Sequence, residues 1–345
     1  MILTPGQLYF INEQDVQTGE KSEYYKIGIV RDAEGRDSKN RLLEHQTGNP
    51  RKLCIVETLS MPAVEAIETN LHYLFARNRV MGEWMHFTER ELRETIAKAK
   101  ELAQEMTESL SDFESVEILK KTVSNSVILD PSPEAEDLFA TIQNLKIVLK
   151  SCDEVLEKYD AYLYEAIEQG VSVEGRAKVQ TRAGAKKFNE SLFKSSYPDI
   201  YATLSTSVSE TKGVFRVTNA PDWDFDISTL NDDQVLLLSD LSDQIDSGDL
   251  SLEAGFILHE KHLGVLEIKK YAEWTTEFAK VKLKVLVGEN QGIDGICTWK
   301  REEKQIVSFD KKKAQIDFPQ EYESCVVQGA DTVALIVEPR APENF

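Results

Sequence analysis

Long apolar runs are missing from this 345-residue chain. No stretch approaches the ~18 residues a membrane helix needs, so a membrane-spanning role is not expected. Cysteine is scarce: Cys54, Cys152, Cys297 and Cys325 lie far apart, with no C-x-x-C pair. That argues against a thiolate zinc site or a disulfide framework, and buried free thiols in a reducing cytoplasm are the expectation. The opening Met-Ile-Leu-Thr-Pro-Gly lacks the basic and apolar regions of a signal peptide. A soluble cytoplasmic protein is therefore expected. The C-terminal 215 residues also lack a P-loop, a zinc spacing, a Ser/His/Asp set and a glycine-rich phosphate cradle.

Excess positive charge is absent too. The formal net charge is −20, and it is unevenly spread. Residues 1–100 hold 14 Lys/Arg against 15 Asp/Glu, and the remaining 245 hold 26 against 45. Blanket attraction of the C-terminal part to a phosphate backbone is not expected. Nucleic acid would have to be gripped by the first domain, through Arg31, Arg36, Arg41, Arg51, Lys52, Arg77 and Arg79.

What is present divides the chain. Residues 7–12 and 24–30 read as apolar strands, 39–46 as a helix stopped by Thr47-Gly48-Asn49-Pro50, and Lys52–Leu59 as a third strand. Pro62 opens a helix with an apolar face of Val64, Ile67, Leu71, Leu74 and Phe75. Thr88 and Glu91 form a capping box ahead of another helix reaching about residue 106. Residues 107–131 read as a linker ending at Asp130-Pro131. A long helix follows, with a heptad seam at Leu138, Ile142, Leu145, Leu149, Cys152, Leu156, Tyr159 and Leu163. Such a seam requires a long partner helix, within the chain or in a second copy.

An internal repeat spans the rest. Phe188-Asn189 and Tyr197-Pro198-x-x-Tyr201 recur at an offset of 121 as Phe309-Asp310 and Phe318-Pro319-x-x-Tyr322. Each copy follows a long amphipathic helix and precedes a Val-rich strand. The expected fold class is α+β: a small mixed sheet with helices in 1–106, then a helix-rich tandem-repeat region with small β hairpins. Within that region 132–219 is repeat 1, 220–251 an acidic linker and 252–345 repeat 2.

Five polar groups in the first domain stand in a telling order: Tyr9 in a strand, Lys26-Ile27-Gly28 in the next, Asn40-Arg41-Leu42 in a helix, Glu68 in a second helix, and Gly82-Glu83-Trp84. In this order residues 6–87 resemble the GIY-YIG nuclease superfamily, in the branch where Lys-Ile-Gly replaces Tyr-Ile-Gly, similar to domains of phage, bacterial and fungal proteins. The resemblance implies a metal-dependent endonuclease. Tyr9 would touch or activate the attacking water with help from Lys26, and Arg41 would hold the scissile phosphate. Glu68 would bind a single Mg²⁺ or Mn²⁺, an ion that keeps most of its waters. Gly28 would let the backbone pass close to the following helix. Glu83 stands where many members carry an Asn, which leaves its role open.

Helix spacing adds His45 to Arg41 and His72 to Glu68, each at i,i+4 and so on one face. His45 is a candidate for acting on a water or the leaving group, and His72 for orienting Glu68. Each residue also has a plain structural reading, such as a core Tyr9, a solvated Lys26 or an ordinary polar helix face at Arg41. Trp84 and Phe87 read as core. His259 and His262 have no ligand partners and read as structural or solvent-facing. Near the C-terminus, Thr298-Trp299-Lys300 and Phe318-Pro319 resemble tails of YqaJ-type phage recombinases. The expectation is a DNA endonuclease of phage–host conflict or phage DNA metabolism, whose acidic C-terminal region serves a partner protein or a homo-oligomer. The alternative is a catalytically inactive nucleic-acid-binding adaptor or assembly protein.

Overall fold

The computed structural model describes residues 3–338 and has an α+β fold. Part of the opening segment read above, and the last seven residues of the second repeat, lie outside those residues. The first domain contains strands β1 (Gly6–Gln14), β2 (Lys21–Arg31) and β3 (Lys52–Met61), with helices α1 (Ser38–Gln46) and α2 (Val64–Leu74). Two short strands follow, β4 (Arg79–Met81) and β5 (Trp84–His86), and then helix α3 (Glu89–Glu108). The sheet runs β3-β1-β2-β5-β4, antiparallel throughout.

Alternation drives its packing. Leu8, Phe10 and Ile27 point to one face, where Val64, Ile67 and Leu71 of α2 cover them with Phe87. Tyr9, Ile11 and Val30 point to the other face, with Leu42 of α1 alongside. Asp37 and Asn40 form a capping box that starts α1, and Thr88 with Glu91 starts α3 as the sequence suggested.

After α3 come α4 (Leu110–Leu119), β6 (Ile128–Leu129) and α5 (Pro133–Glu168). Then come β7 (Ala177–Arg182), β8 (Lys186–Phe188), α6 (Glu190–Ser196), α7 (Pro198–Thr203), β9 (Ser205–Gly213) and β10 (Arg216–Val217). Helices α8 (Asp232–Asp246) and α9 (Leu252–Val287) lead to β11 (Gly292–Ile293), β12 (Cys297–Thr298) and β13 (Arg301–Phe309). The chain closes with α10 (Lys311–Asp317), α11 (Pro319–Ser324), β14 (Val326–Gln328) and β15 (Thr332–Val337).

The α5 seam is filled within the chain by α9. Asp153 pairs with Lys269 and Tyr159 with His259, so the two 36-residue helices run antiparallel. Their length is about 54 Å at 1.5 Å per residue. Val148, Val155 and Tyr162 are buried beside the expected seam, because α8 covers a second stripe of α5. The acidic stretch read as a linker thus carries a packed helix. So does 107–131, where Phe113 of α4 meets Phe278 of α9 edge-on. The first domain also docks on α9, with Trp274 donating to Glu105 at 2.8 Å.

The repeats interlock. Strand pairing along the ribbons runs between copies, although β11 and β12 also form a short hairpin within the second copy. Val326 lies opposite Phe188, and 121 residues away in each strand Ser205 lies opposite Phe309. Thr332 opposite Arg182 is matched by Thr211 opposite Glu303, and Val337 opposite Ala177 by Arg216 opposite Thr298. Two antiparallel ribbons result, related by a pseudo-two-fold axis. One leaves the end of the helix pair where Ala177 packs with Leu163 and Leu258. The other leaves the opposite end, where Cys297 packs with Ile142 and Val287. They meet at a small aromatic apex in which Tyr322 stacks on Phe188 (4.4 Å) and Tyr201 on Phe309 (4.8 Å).

Candidate active site

β1 and β2 carry Tyr9 and Lys26 on the sheet face that α1 covers, and α1 brings Arg41 and His45 across it. Tyr9 is buried, and its Oη lies 3.2 Å from His45 Nε2 and within hydrogen-bonding reach of Arg41. Gly28 is the cross-strand partner of Tyr9. A Cβ at Gly28 would sit 2.5 Å from the Tyr9 hydroxyl, so the glycine makes room for the phenol ring. The expectation was that it lets the backbone pass close to the following helix; the atoms nearest a Cβ there belong to Tyr9.

Lys26 is buried, and its ammonium pairs with Glu83 from the turn between β4 and β5. Burial lowers it to about 8, against the pull of the nearby Glu68 carboxylate. Glu68 is partly buried on α2. It makes no hydrogen bond or ion pair with the described residues, and burial raises it to about 7. His72, one turn along α2, is buried with neither ring nitrogen hydrogen-bonded among the described residues. Burial, with Arg79 and Lys26 nearby, holds it down at about 4, so it is neutral and faces the backbone of Ile27. Burial likewise lowers His45 and raises Tyr9.

A cleft of about 460 Å³ opens beside these groups, walled by Lys26, His45, Trp84 and the turn 47–50. Of the five expected groups only Lys26 and His45 line it. Tyr9 lies behind His45, its hydrogen-bond partner, and Arg41 and Glu68 are within electrostatic reach of both Tyr9 and Lys26. His72, one turn from Glu68 on α2, is not part of the cleft lining. Trp84, read as core, is half-buried on the cleft wall; Phe87 is core. The Glu83–Lys26 pair was not legible, because it depends on β4 and β5 adding to the sheet beside β2. The only signal for it was the run Gly82-Glu83-Trp84.

No group of three or more His, Cys, Asp or Glu is gathered for a metal among the described residues. A largely hydrated Mg²⁺ or Mn²⁺ needs few protein ligands, however. Glu68 fits that requirement: it is a partly desolvated carboxylate with no hydrogen-bond or ion-pair partner among the described residues, and a carboxylate so placed gains most from a cation. The arginines expected to grip a phosphate backbone are largely neutralised. Arg31 pairs with Glu34 and Glu65, Arg36 with Glu34 and Glu44, Arg41 with Glu44, and Arg51 with Glu13. Arg77 sits at the junction with α9, against Gly264.

Outside the first domain, His259 and His262 are buried and structural. His259 Nδ1 lies 2.9 Å from the Tyr159 hydroxyl, and burial holds His262 at about 3. Cys152, Cys297 and Cys325 are buried free thiols, and Cys54 is half-exposed. No helix of the described residues is long and apolar enough to cross a membrane.

Comparison with known proteins supplies one match. Residues 6–100 are similar to the T5orf172 domain, a phage-associated domain found in nuclease-like proteins. No curated protein and no solved structure matches the chain.

Proposed function

We propose that this protein is a metal-dependent DNA endonuclease with a site of GIY-YIG type in its first domain. The observation that supports the reading is that Tyr9, Lys26, Arg41 and Glu68 lie within electrostatic reach of one another, next to a cleft that Lys26 and His45 line, and that Glu68 has no hydrogen-bond or ion-pair partner among the described residues. The T5orf172 match supports a phage-linked, nuclease-like role, in conflict between phage and host or in phage DNA metabolism.

Phosphodiester hydrolysis requires an activated water and neutralisation of charge on the phosphate. Glu68 would hold one Mg²⁺ or Mn²⁺, which supplies Lewis-acid charge and a more acidic water. Tyr9 is too weak an acid to be a phenolate at neutral pH, and burial raises it further. His45, kept neutral by its lowered pKa, accepts the Tyr9 proton as Tyr9 takes one from the attacking water. Arg41 exchanges Glu44 for the scissile phosphate, and Lys26 exchanges Glu83 for a non-bridging oxygen. His72, four residues along the same helix face, would orient Glu68.

The test is plasmid nicking with Mg²⁺ or Mn²⁺ by the wild type, Glu68→Ala and Arg41→Ala. Nicking by the wild type that both variants lose, with unchanged circular dichroism, is expected. No cutting of duplex DNA, single strands or RNA by the wild type would overturn the nuclease reading in favour of an adaptor.

A further inference from the structure

A second cavity adjoins the cleft. It measures about 300 Å³ and is lined by Glu13, Tyr24, Asn49, Val80, Met81 and Trp84. Asn49 and Trp84 also wall the cleft, so the two spaces are continuous. That volume is at the small end for ligand pockets, about 300–1,000 Å³, and suits one planar ring better than a run of them.

The walls offer apolar surface to solvent. Tyr24 is 43% exposed and Met81 68% exposed, and Trp84 is half-buried between them and the cleft. An exposed apolar patch with a polar rim marks a binding groove. Strand alternation puts Tyr24 on the same sheet face as Lys26, two residues further on in β2. Trp84 is the cross-strand partner of Lys26, and His86 that of Tyr24. The rings of Tyr24 and His86 lie 5.3 Å apart, which braces the tyrosine.

Polar edges are available beside these rings. The Tyr24 hydroxyl, the Trp84 indole N–H and the Asn49 Nδ2 make no hydrogen bond with the described residues. Asn49 Oδ1 accepts from the Arg51 backbone N–H at 2.9 Å, which fixes the amide. The acidic group on the wall, Glu13, is paired with Arg51 at 3.2 Å. Aromatic faces on which a base stacks, with donors at its edge, are how unpaired nucleobases are held. Side chains on one strand face repeat at about 7 Å, so a base beside Tyr24 leaves its phosphate near Lys26, within the span of one nucleotide.

We propose that this cavity takes a single unpaired DNA base next to the scissile phosphate, held against Tyr24, Trp84 and Met81 with Asn49 donating to its edge. The word scissile rests on the nuclease reading; the base pocket itself is tested without cutting. Duplex DNA must give up a base pair to fill the cavity, and that cost is lowest at a mismatch or in a single strand. Unpaired DNA is therefore the preferred substrate.

The test is equilibrium binding of full-length protein, in EDTA, to two labelled 12-nucleotide strands. One carries thymine throughout, and the other has the same backbone and is abasic throughout. Wild type is compared with Tyr24→Ala and Met81→Ala, and with Tyr164→Ala, a similarly exposed tyrosine on α5, as the control. One base stacked on an aromatic side chain makes the thymine strand bind about 5- to 150-fold more tightly. Tyr24→Ala loses most of that preference and Met81→Ala part of it, while binding of the abasic strand stays the same. Tyr164→Ala keeps the preference. Equal binding of both strands by wild type overturns the proposal, as does a preference that survives in Tyr24→Ala. Nicking with Mg²⁺ is then compared on a duplex with and without one mismatch; faster cutting at the mismatch, lost in Tyr24→Ala, is expected. Base-dependent binding without cutting of any substrate leaves the pocket standing and removes the nuclease reading. Cutting that ignores both the mismatch and Tyr24→Ala removes the pocket alone.

Discussion

The first domain and the ribbon frame build sheets in opposite ways. In the first domain β1 pairs with β2, the next strand along, and with β3, and local turns bring them together. In the frame every ribbon strand waits for a partner from the other repeat, from Val217 opposite Cys297 to Ala177 opposite Val337. Short closures cost little entropy and can form early; long ones must be stabilised by helices that are already packed. The α5–α9 pair serves that purpose by fixing the two ends from which the ribbons leave. The lesson extends to charge. The first domain pairs its surface arginines with carboxylates one by one, whereas at the apex six lysines and six carboxylates share segments 186–204 and 309–325 with no ion pair between them among the described residues.

The sharpest way to separate the regions is chemical. Glu68→Ala is expected to cut nicking by about 10²- to 10³-fold, the scale of losing one preorganised electrostatic group. Its urea midpoint should stay at or above that of wild type, because a partly buried carboxylate with no ion-pair partner among the described residues has been removed. A large loss of stability would show that Glu68 is structural.

The apex gives the next largest effect. Phe188→Ala and Phe309→Ala each remove a stacked partner from the aromatic cluster, at a cost of about 3 kcal/mol in urea unfolding. The two losses should be similar if the pseudo-symmetry is energetic as well as geometric. The rings lie 5.9 Å apart, so the double variant should lose less than the sum. A strongly unequal pair would break the symmetry argument.

Two glycines allow a matched comparison at smaller scale. Gly28→Ala places a methyl 2.5 Å from the Tyr9 hydroxyl, and Gly255→Ala places one 1.9 Å from the buried Arg176 guanidinium. Each should cost about 1–3 kcal/mol by overpacking. Only Gly28→Ala should also abolish nicking, because it displaces Tyr9. Equal loss of nicking in both would tie the frame to catalysis.

The smallest effect is in pH. Glu68 is raised from 4.5 in the unfolded chain to about 7 in the fold, so folding holds its proton more tightly. In metal-free protein the associated stabilisation is complete below pH 4.5 and is lost as pH rises through about 7. Melting temperature should therefore fall slightly between pH 5 and 8 without metal. Mg²⁺ binding should strengthen across the same window, because the ion takes the carboxylate and not the acid. Glu68→Gln should flatten both trends.

Much of the first domain was legible. Strand alternation at Leu8–Ile11, the apolar face of α2 and the Thr88–Glu91 cap are local signals, and they place Tyr9, Lys26 and Arg41 near one another once β1 and β2 pair. Glu83 was not legible as a partner of Lys26, since three-residue strands leave almost no pattern. The 107–131 and 220–251 segments look like linkers because they are acidic. Their few apolar residues, Phe113 and Val116 in one and Leu241 in the other, nevertheless reach the core.

Periodicity and spacing thus made the two long helices and the repeat legible, because each is written in the local pattern of the chain. Which copy each ribbon strand joins was decided by packing between segments far apart. Antiparallel strands of either repeat have the same local pattern. Only the antiparallel α5–α9 pair, by holding the repeat ends at opposite poles, leaves the exchanged pairing as the arrangement that closes.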